Sequence, residues 1–162
     1  MRKTPIQSVA LGGMLAALVW LFTFTVQIPI PATAGYVNGG DGIILLAGAL
    51  LGPFAWLPAG IGAALADLLS GYSIYVVPTF LIKGLMGFVA GRFARRGRML
   101  SNVCVFVAVE AMMVGGYLIF EGFALGWAAA FAGLGMNAAQ GVAGVAIGGA
   151  LCTAFQNTSR QM

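Results

Sequence analysis

Apolar residues run almost without interruption from Val9 to Phe155, broken at intervals by short polar or Gly- and Pro-bearing stretches. A helix needs about 20 mostly apolar residues to cross a bilayer. Five stretches fall in that range: 8–27, 54–71, 76–93, 101–120 and 126–154. A sixth, 40–52, is short, since about 13 residues rise roughly 20 Å against a hydrocarbon core of about 30 Å. Between 40–52 and 54–71 stands Gly52-Pro53, which is either a kink inside one long helix or a turn between two.

Charge separates these alternatives. Arg2 and Lys3 place the N-terminus in the cytoplasm by the positive-inside rule, and the densest basic cluster is Arg92, Arg95, Arg96 and Arg98. A turn at Gly52-Pro53 puts that cluster after four crossings, inside; a kink puts it after three, outside. The connections 28–40, 72–75 and 121–125, which fall outside in the first case, contain no Lys or Arg, and Arg160 then also falls inside. The expectation is an all-α integral membrane protein: one domain, a bundle of six transmembrane helices, both termini cytoplasmic. The connection 28–40 carries Pro29, Pro31, Gly35, Gly39 and Gly40 and is expected to form a covering loop over an outward-facing site.

Composition agrees with lipid as the solvent. Of 162 residues 60% are hydrophobic and 7% charged, where a soluble domain carries roughly 25% charged residues. The length leaves no room for a soluble catalytic or ATPase domain beside the helices. The stretch from Val9 to Val26 exceeds a secretory h-region and is followed by further apolar segments, so it reads as a membrane helix. Cys104 and Cys152 lie in apolar segments without metal-ligand spacing, and histidine is absent, so neither a disulfide framework nor a zinc site is expected. The net charge of +4 sits at helix ends and speaks to topology rather than to nucleic acid.

Charges inside membrane segments are costly and mark candidate sites. Asp67 and Lys83 each lie roughly 8–11 Å below the outer ends of their helices. A structural ion pair, a snorkelling lysine and the polar floor of a site all fit them. Asp41 opens the short second helix, where capping and the helix dipole account for it without a ligand. Glu121 is expected at the outer end of its helix, exposed to water. Glu110, Asn137 and Gln140 lie near the midplane, as an interhelical hydrogen-bond cluster or the lining of a cavity. Tyr36, Tyr72, Tyr75 and Trp127 near the outer face suit interfacial anchoring or stacking on a planar ligand.

Small residues recur four apart at Gly12/Ala16, Gly13/Ala17, Gly60/Ala64, Gly87/Gly91 and Gly144/Gly148, a spacing that lets helices approach closely. The two adjacent pairs on the first helix make a stripe suited to a partner helix. There is no G-x-x-x-x-G-K-[ST], no H-E-x-x-H and no histidine-based nucleophile arrangement, which disfavours an enzyme.

Read together, Gly35-Tyr36-Val37-Asn38-Gly39-Gly40-Asp41-Gly42, Leu51-Gly52-Pro53, Ala64-Leu65-Ala66-Asp67-Leu68-Leu69-Ser70-Gly71-Tyr72 and Pro78-Thr79-Phe80-Leu81-Ile82-Lys83-Gly84 resemble the substrate-specific S components of energy-coupling factor (ECF) vitamin transporters. Gly116-Tyr117, Glu121 and Asn137 followed by Gln140 continue the likeness, which is nearest to the group for hydroxymethylpyrimidine or pyridoxine-like ligands. The resemblance implies a six-helix bundle in a prokaryotic plasma membrane that binds a vitamin or precursor near the outer face. It also implies a transmembrane coupling subunit and two ATPase subunits as partners, with no cofactor, no metal and no nucleic acid. The expected ligand-facing residues are Asn38, Asp67, Tyr72, Lys83, Tyr117, Glu121, Asn137 and Gln140, with Asp41 and Glu110 structural. The family's helix-one motif of small residues implies that Gly12, Gly13, Ala16 and Ala17 touch the coupling subunit, although the match there is imperfect. A scaffold for an envelope-synthesis complex and a small autonomous carrier are the competing readings.

Overall fold

The computed structural model describes residues 4–95 and 98–161, with the side chains of 99 and 159–161 left out. Arg2, Lys3 and Arg96 of the expected topology lie outside the described residues, as does the side chain of Arg160. The described residues form helix α1 Pro5–Thr25, a hairpin of strands β1 Gln27–Ile30 and β2 Gly35–Asn38, then α2 Asp41–Leu51, α3 Trp56–Leu69, α4 Val76–Phe93, α5 Met99–Ala124 and α6 Trp127–Gln161. Short 3₁₀ turns, Gly52–Ala55 and Ser73–Tyr75, precede α3 and α4.

Local signals set the ends. Thr4 caps α1 with a reciprocal pair of bonds to Gln7, and Pro5 occupies the first helical position, where a missing N–H costs nothing. The expected start at residue 8 is therefore three residues late. Helix α6 runs on through the polar residues after Gln156, seven residues past the expected end at 154. Asn102 accepts from the Arg95 amide at 2.8 Å and donates to its carbonyl at 2.9 Å, tying the first turn of α5 to the residues just after α4.

Among the described residues five segments are long and apolar enough to cross a membrane: Pro5–Thr25, Asp41–Leu69, Ser73–Phe93, Leu100–Ala124 and Trp127–Thr158. With large hydrophobic side chains such as Met14, Leu81, Leu100, Ile119, Phe123 and Val142 exposed on these helices, the chain is an integral membrane protein. The segment Asp41–Leu69 is not straight. Along α2, Asp41 bonds Lys83 and Gly48 lies on Ala90 and Gly91; along the next stretch Gly52 meets Gly91, Ala55 meets Gly87, Trp56 meets Gly84 and Gly60 meets Phe80. The partner on α4 thus climbs from 83 to 91 and then falls back to 80. The chain reverses at Gly52–Ala55, with α2 parallel to α4 and α3 antiparallel to it. Gly52 ends α2 with φ +64°, a left-handed conformation that glycine adopts without strain.

The core is built largely from small side chains. Ala47, Ala55, Ala59, Ala63 and Ala90 are fully buried beside Val19, Ile44, Leu45, Met86, Phe106, Val109 and Met113. Lipid offers little hydrophobic drive for helix association, so close van der Waals approach takes its place.

The segment expected to be a covering loop is a hairpin inserted among the helices. Its register pairs Gln27 with Asn38 and Ile30 with Gly35. On β2 the residues Gly35 and Val37 face inward, alternating with half-buried Tyr36 and Asn38. The end of β2 meets Gln140, 13 residues into α6 and therefore about 20 Å from its start.

Candidate functional site

Three helical faces converge below this hairpin. On the α4 side, Tyr75, Thr79 and Lys83 are spaced four apart; on α5, Glu110, Tyr117 and Glu121 share a face; on α6, Asn137, Gln140 and Gly144 do. All eight polar side chains are 8% exposed or less. Thr79 and Tyr117 share a hydrogen bond of 3.0 Å between their hydroxyls.

The pairing of the buried charges differs from expectation. Lys83 and Asp67 do not pair; Lys83 Nζ lies 2.5 Å from Asp41 Oδ1, both side chains being 1% exposed. Gln140 Nε2 donates to Asp41 Oδ2 at 2.6 Å, and Gln140 Oε1 in turn accepts the Asn38 amide at 2.7 Å. Asn38 Oδ1 accepts from the Gly40 amide at 3.0 Å and closes the turn into α2. Asp41 is therefore not the N-cap of α2, a position held by Gly40. Both of its carboxylate oxygens are spent on α4 and α6. Lys83 also lies 5.5 Å from the centre of the Tyr117 ring, in cation–π range.

Asp67, at the end of α3, accepts the Tyr36 hydroxyl at 2.5 Å, and the Tyr36 ring lies 4.6 Å from that of Tyr72. Burial first, and then the Asp67 carboxylate beside it, holds the Tyr36 hydroxyl above its ordinary range, so it remains a donor. Glu121 is not exposed to water as expected: it is 2% exposed, because the hairpin and Tyr75 cover it. The Tyr75 hydroxyl points at both the Thr33 carbonyl (2.7 Å) and Glu121 Oε1 (3.2 Å). Among the described residues Asp67 Oδ2, Glu121 Oε2 and both oxygens of Glu110 have no hydrogen-bond partner.

Of the residues expected to face a ligand, Asn38, Asp67, Tyr117, Glu121, Asn137 and Gln140 line one cavity, together with Ile30, Gly35, Tyr36, Tyr75 and Thr79. Tyr72 stands outside it, its ring tilted against that of Tyr36, and Lys83 supports it through Asp41 and Gln140. The free space is about 20 Å³, room for roughly one water, so the site is held closed by its own side chains. Sequence reasoning left Thr79 and Tyr75 out of this set; the four-residue spacing 75, 79, 83 carried the signal. Glu110 does not line the cavity; it lies against Gly141 and Gly144 on α6, beside Asp41. On α1 the small stripe divides. Gly12 is buried against the Phe54 ring and the Ala16 carbonyl lies on Gly62, whereas Gly13 and Ala17 are exposed.

Residues 3–157 match the family described as ECF-type riboflavin transporter, S component. Similar proteins include the thiamine precursor transporter HmpT of Lactococcus lactis subsp. cremoris, 35% identical over 140 residues that cover 85% of this chain and 78% of the relative. An uncharacterized protein in a gap 3′ region of Pyrococcus woesei is 37% identical over 138 residues, covering 82% of this chain and 90% of that protein.

Proposed function

The chain belongs to the S components of ECF-type transporters, a family of transport proteins and not of enzymes, and from that premise we propose that it captures a vitamin or vitamin precursor at the outer face of a prokaryotic plasma membrane. It hands this ligand to an ATP-driven complex made with a transmembrane coupling subunit and two ATPase subunits. The observation that carries the reading is the hairpin-lined polar cavity inside a lipid-facing bundle, a place where polar groups are costly unless they serve a site. Asn38, Asp67, Tyr117, Glu121, Asn137 and Gln140 contact the ligand, with Tyr36, Tyr75 and Thr79 added to them. Tyr72 backs the roof, and Lys83 and Asp41 hold the floor. A single-ring precursor of the hydroxymethylpyrimidine or pyridoxine kind needs less displacement of Tyr36 and its neighbours than a three-ring flavin. That supports the small ligand over the riboflavin in the family's description. Gly13 and Ala17, the exposed half of the α1 stripe, face the coupling subunit.

Calorimetric titration of the purified protein in lipid nanodiscs with hydroxymethylpyrimidine, pyridoxine, thiamine and riboflavin tests this reading. Saturable one-to-one binding of a single-ring compound is the expected result. If none of the four binds, the chain is not a capture subunit for this class.

Six crossings with both ends inside complete the proposal. The reversal at Gly52–Ala55 supports it, as do the exposed Arg92, Arg95 and Arg98 at the end opposite the hairpin. In a background with the exposed Cys104 replaced by Ser, a membrane-impermeant maleimide is expected to label Ser73→Cys in intact cells and to spare Arg98→Cys. Labelling of Arg98→Cys before lysis would contradict the topology.

A further inference from the structure

We infer that the cavity selects by charge, taking a neutral or cationic ring compound on two free carboxylate oxygens, Asp67 Oδ2 and Glu121 Oε2, and rejecting anions. This rests on the proposed capture role and names the chemistry of what is captured.

Two couples of the same design face the cavity. Tyr36 holds Asp67 by Oδ1 and Tyr75 holds Glu121 by Oε1, and in each case the other oxygen is buried without a hydrogen-bond partner among the described residues. The two carboxylates, 3% and 2% exposed, line one cavity from α3 and from α5. A buried oxygen without a donor costs stability, and a ligand N–H or O–H would satisfy it. Both tyrosines also belong to the hairpin's footing, since Tyr36 lies on β2 and the Tyr75 hydroxyl meets the Thr33 carbonyl. Hairpin seating and carboxylate position are thus set together.

The charge balance points the same way. All four acidic residues of the chain are buried, at 1% to 3% exposure, and Lys83 is the one buried cation among the described residues. Its ammonium is on Asp41, whose second oxygen already takes Gln140. An entering phosphate or carboxylate would meet like charge and no uncommitted cation. An amine, a ring N–H or a hydroxyl would meet acceptors.

The test is calorimetry on the wild-type protein with matched pairs: hydroxymethylpyrimidine, pyridoxine, pyridoxamine and riboflavin, each against its phosphate monoester. The compound that binds should exceed its ester by about 100-fold or more, the scale of a buried like-charge contact. The isosteric variants Asp67→Asn and Glu121→Gln should each weaken binding about tenfold or more. Their ligand-free melting temperatures, equal to wild type or higher, would show that the loss is one of recognition. If a variant fails to fold, the wild-type comparison of each compound with its ester still decides. Equal affinity for an ester, or unchanged binding in both folded variants, overturns the assignment while leaving the capture role standing. Binding by none of the compounds overturns both.

Discussion

Lys83→Met is expected to unfold or severely destabilise the protein, and Lys83→Met combined with Asp41→Leu is expected to restore the fold without restoring binding. The ammonium and carboxylate are each 1% exposed and bond at 2.5 Å, so removing the lysine alone leaves an unpaired charge in the bundle. Breaking a buried pair from one side costs about 3–5 kcal/mol, whereas replacing both partners by apolar residues of similar volume is often neutral. Thermal unfolding of the two proteins in the same detergent measures that difference. Binding should not recover, because Asp41 also anchors Gln140, and Gln140 holds the Asn38 amide at the end of the hairpin. Without that carboxylate the amide of Gln140 loses its fixed orientation, and two lining residues lose their positions together. A double variant that binds as tightly as wild type would reduce the pair to bundle glue. A single variant as stable as wild type would remove the pair from the account altogether.

The reach of the sequence can be followed residue by residue around this pair. Apolar runs locate the helices, and four arginines argue for a turn at Gly52-Pro53; the structure has a reversal there. The partner of Lys83 was not legible. Asp41 and Lys83 are 42 positions apart and meet because α2 runs parallel to α4 from a starting point deep in the bundle. That starting point depends on how far the hairpin is inserted, which no local pattern states. The strands themselves are four residues long, and Pro29 within β1 weakens the strand signal. Glu121 shows the same limit from another side. Its place at the end of α5 suggests exposure, and it is buried only because Thr33 and Tyr75, 88 and 46 residues away, fold over it. Spacing within one helix could be read, as in 75, 79 and 83; contacts that depend on the hairpin could not.

The reversal at Gly52–Ala55 also predicts the effect of a single methyl group. A Cβ added at Gly91 would overlap the carbonyl of Gly52, and would lie 2.7 Å from the Pro53 nitrogen. These are backbone atoms of a turn, not the ends of flexible side chains, so the clash cannot be relieved by a rotamer change. Gly91→Ala is therefore expected to destabilise the protein by about 1–3 kcal/mol or more, as overpacking does. The sign is informative, because alanine is the better helix former by about 1 kcal/mol and would stabilise α4 if the site were open. Gly115→Ala on α5 is the control: an added Cβ there meets nothing within 4 Å, so it should be neutral or stabilising. Melting temperature and monodispersity of both variants in detergent decide the point. If Gly91→Ala melts at or above wild type, α4 does not back onto the turn, and the antiparallel arrangement of α2 and α3 fails with it. The floor of the cavity would fail too, since the same parallel run of α2 along α4 brings Asp41 to Lys83.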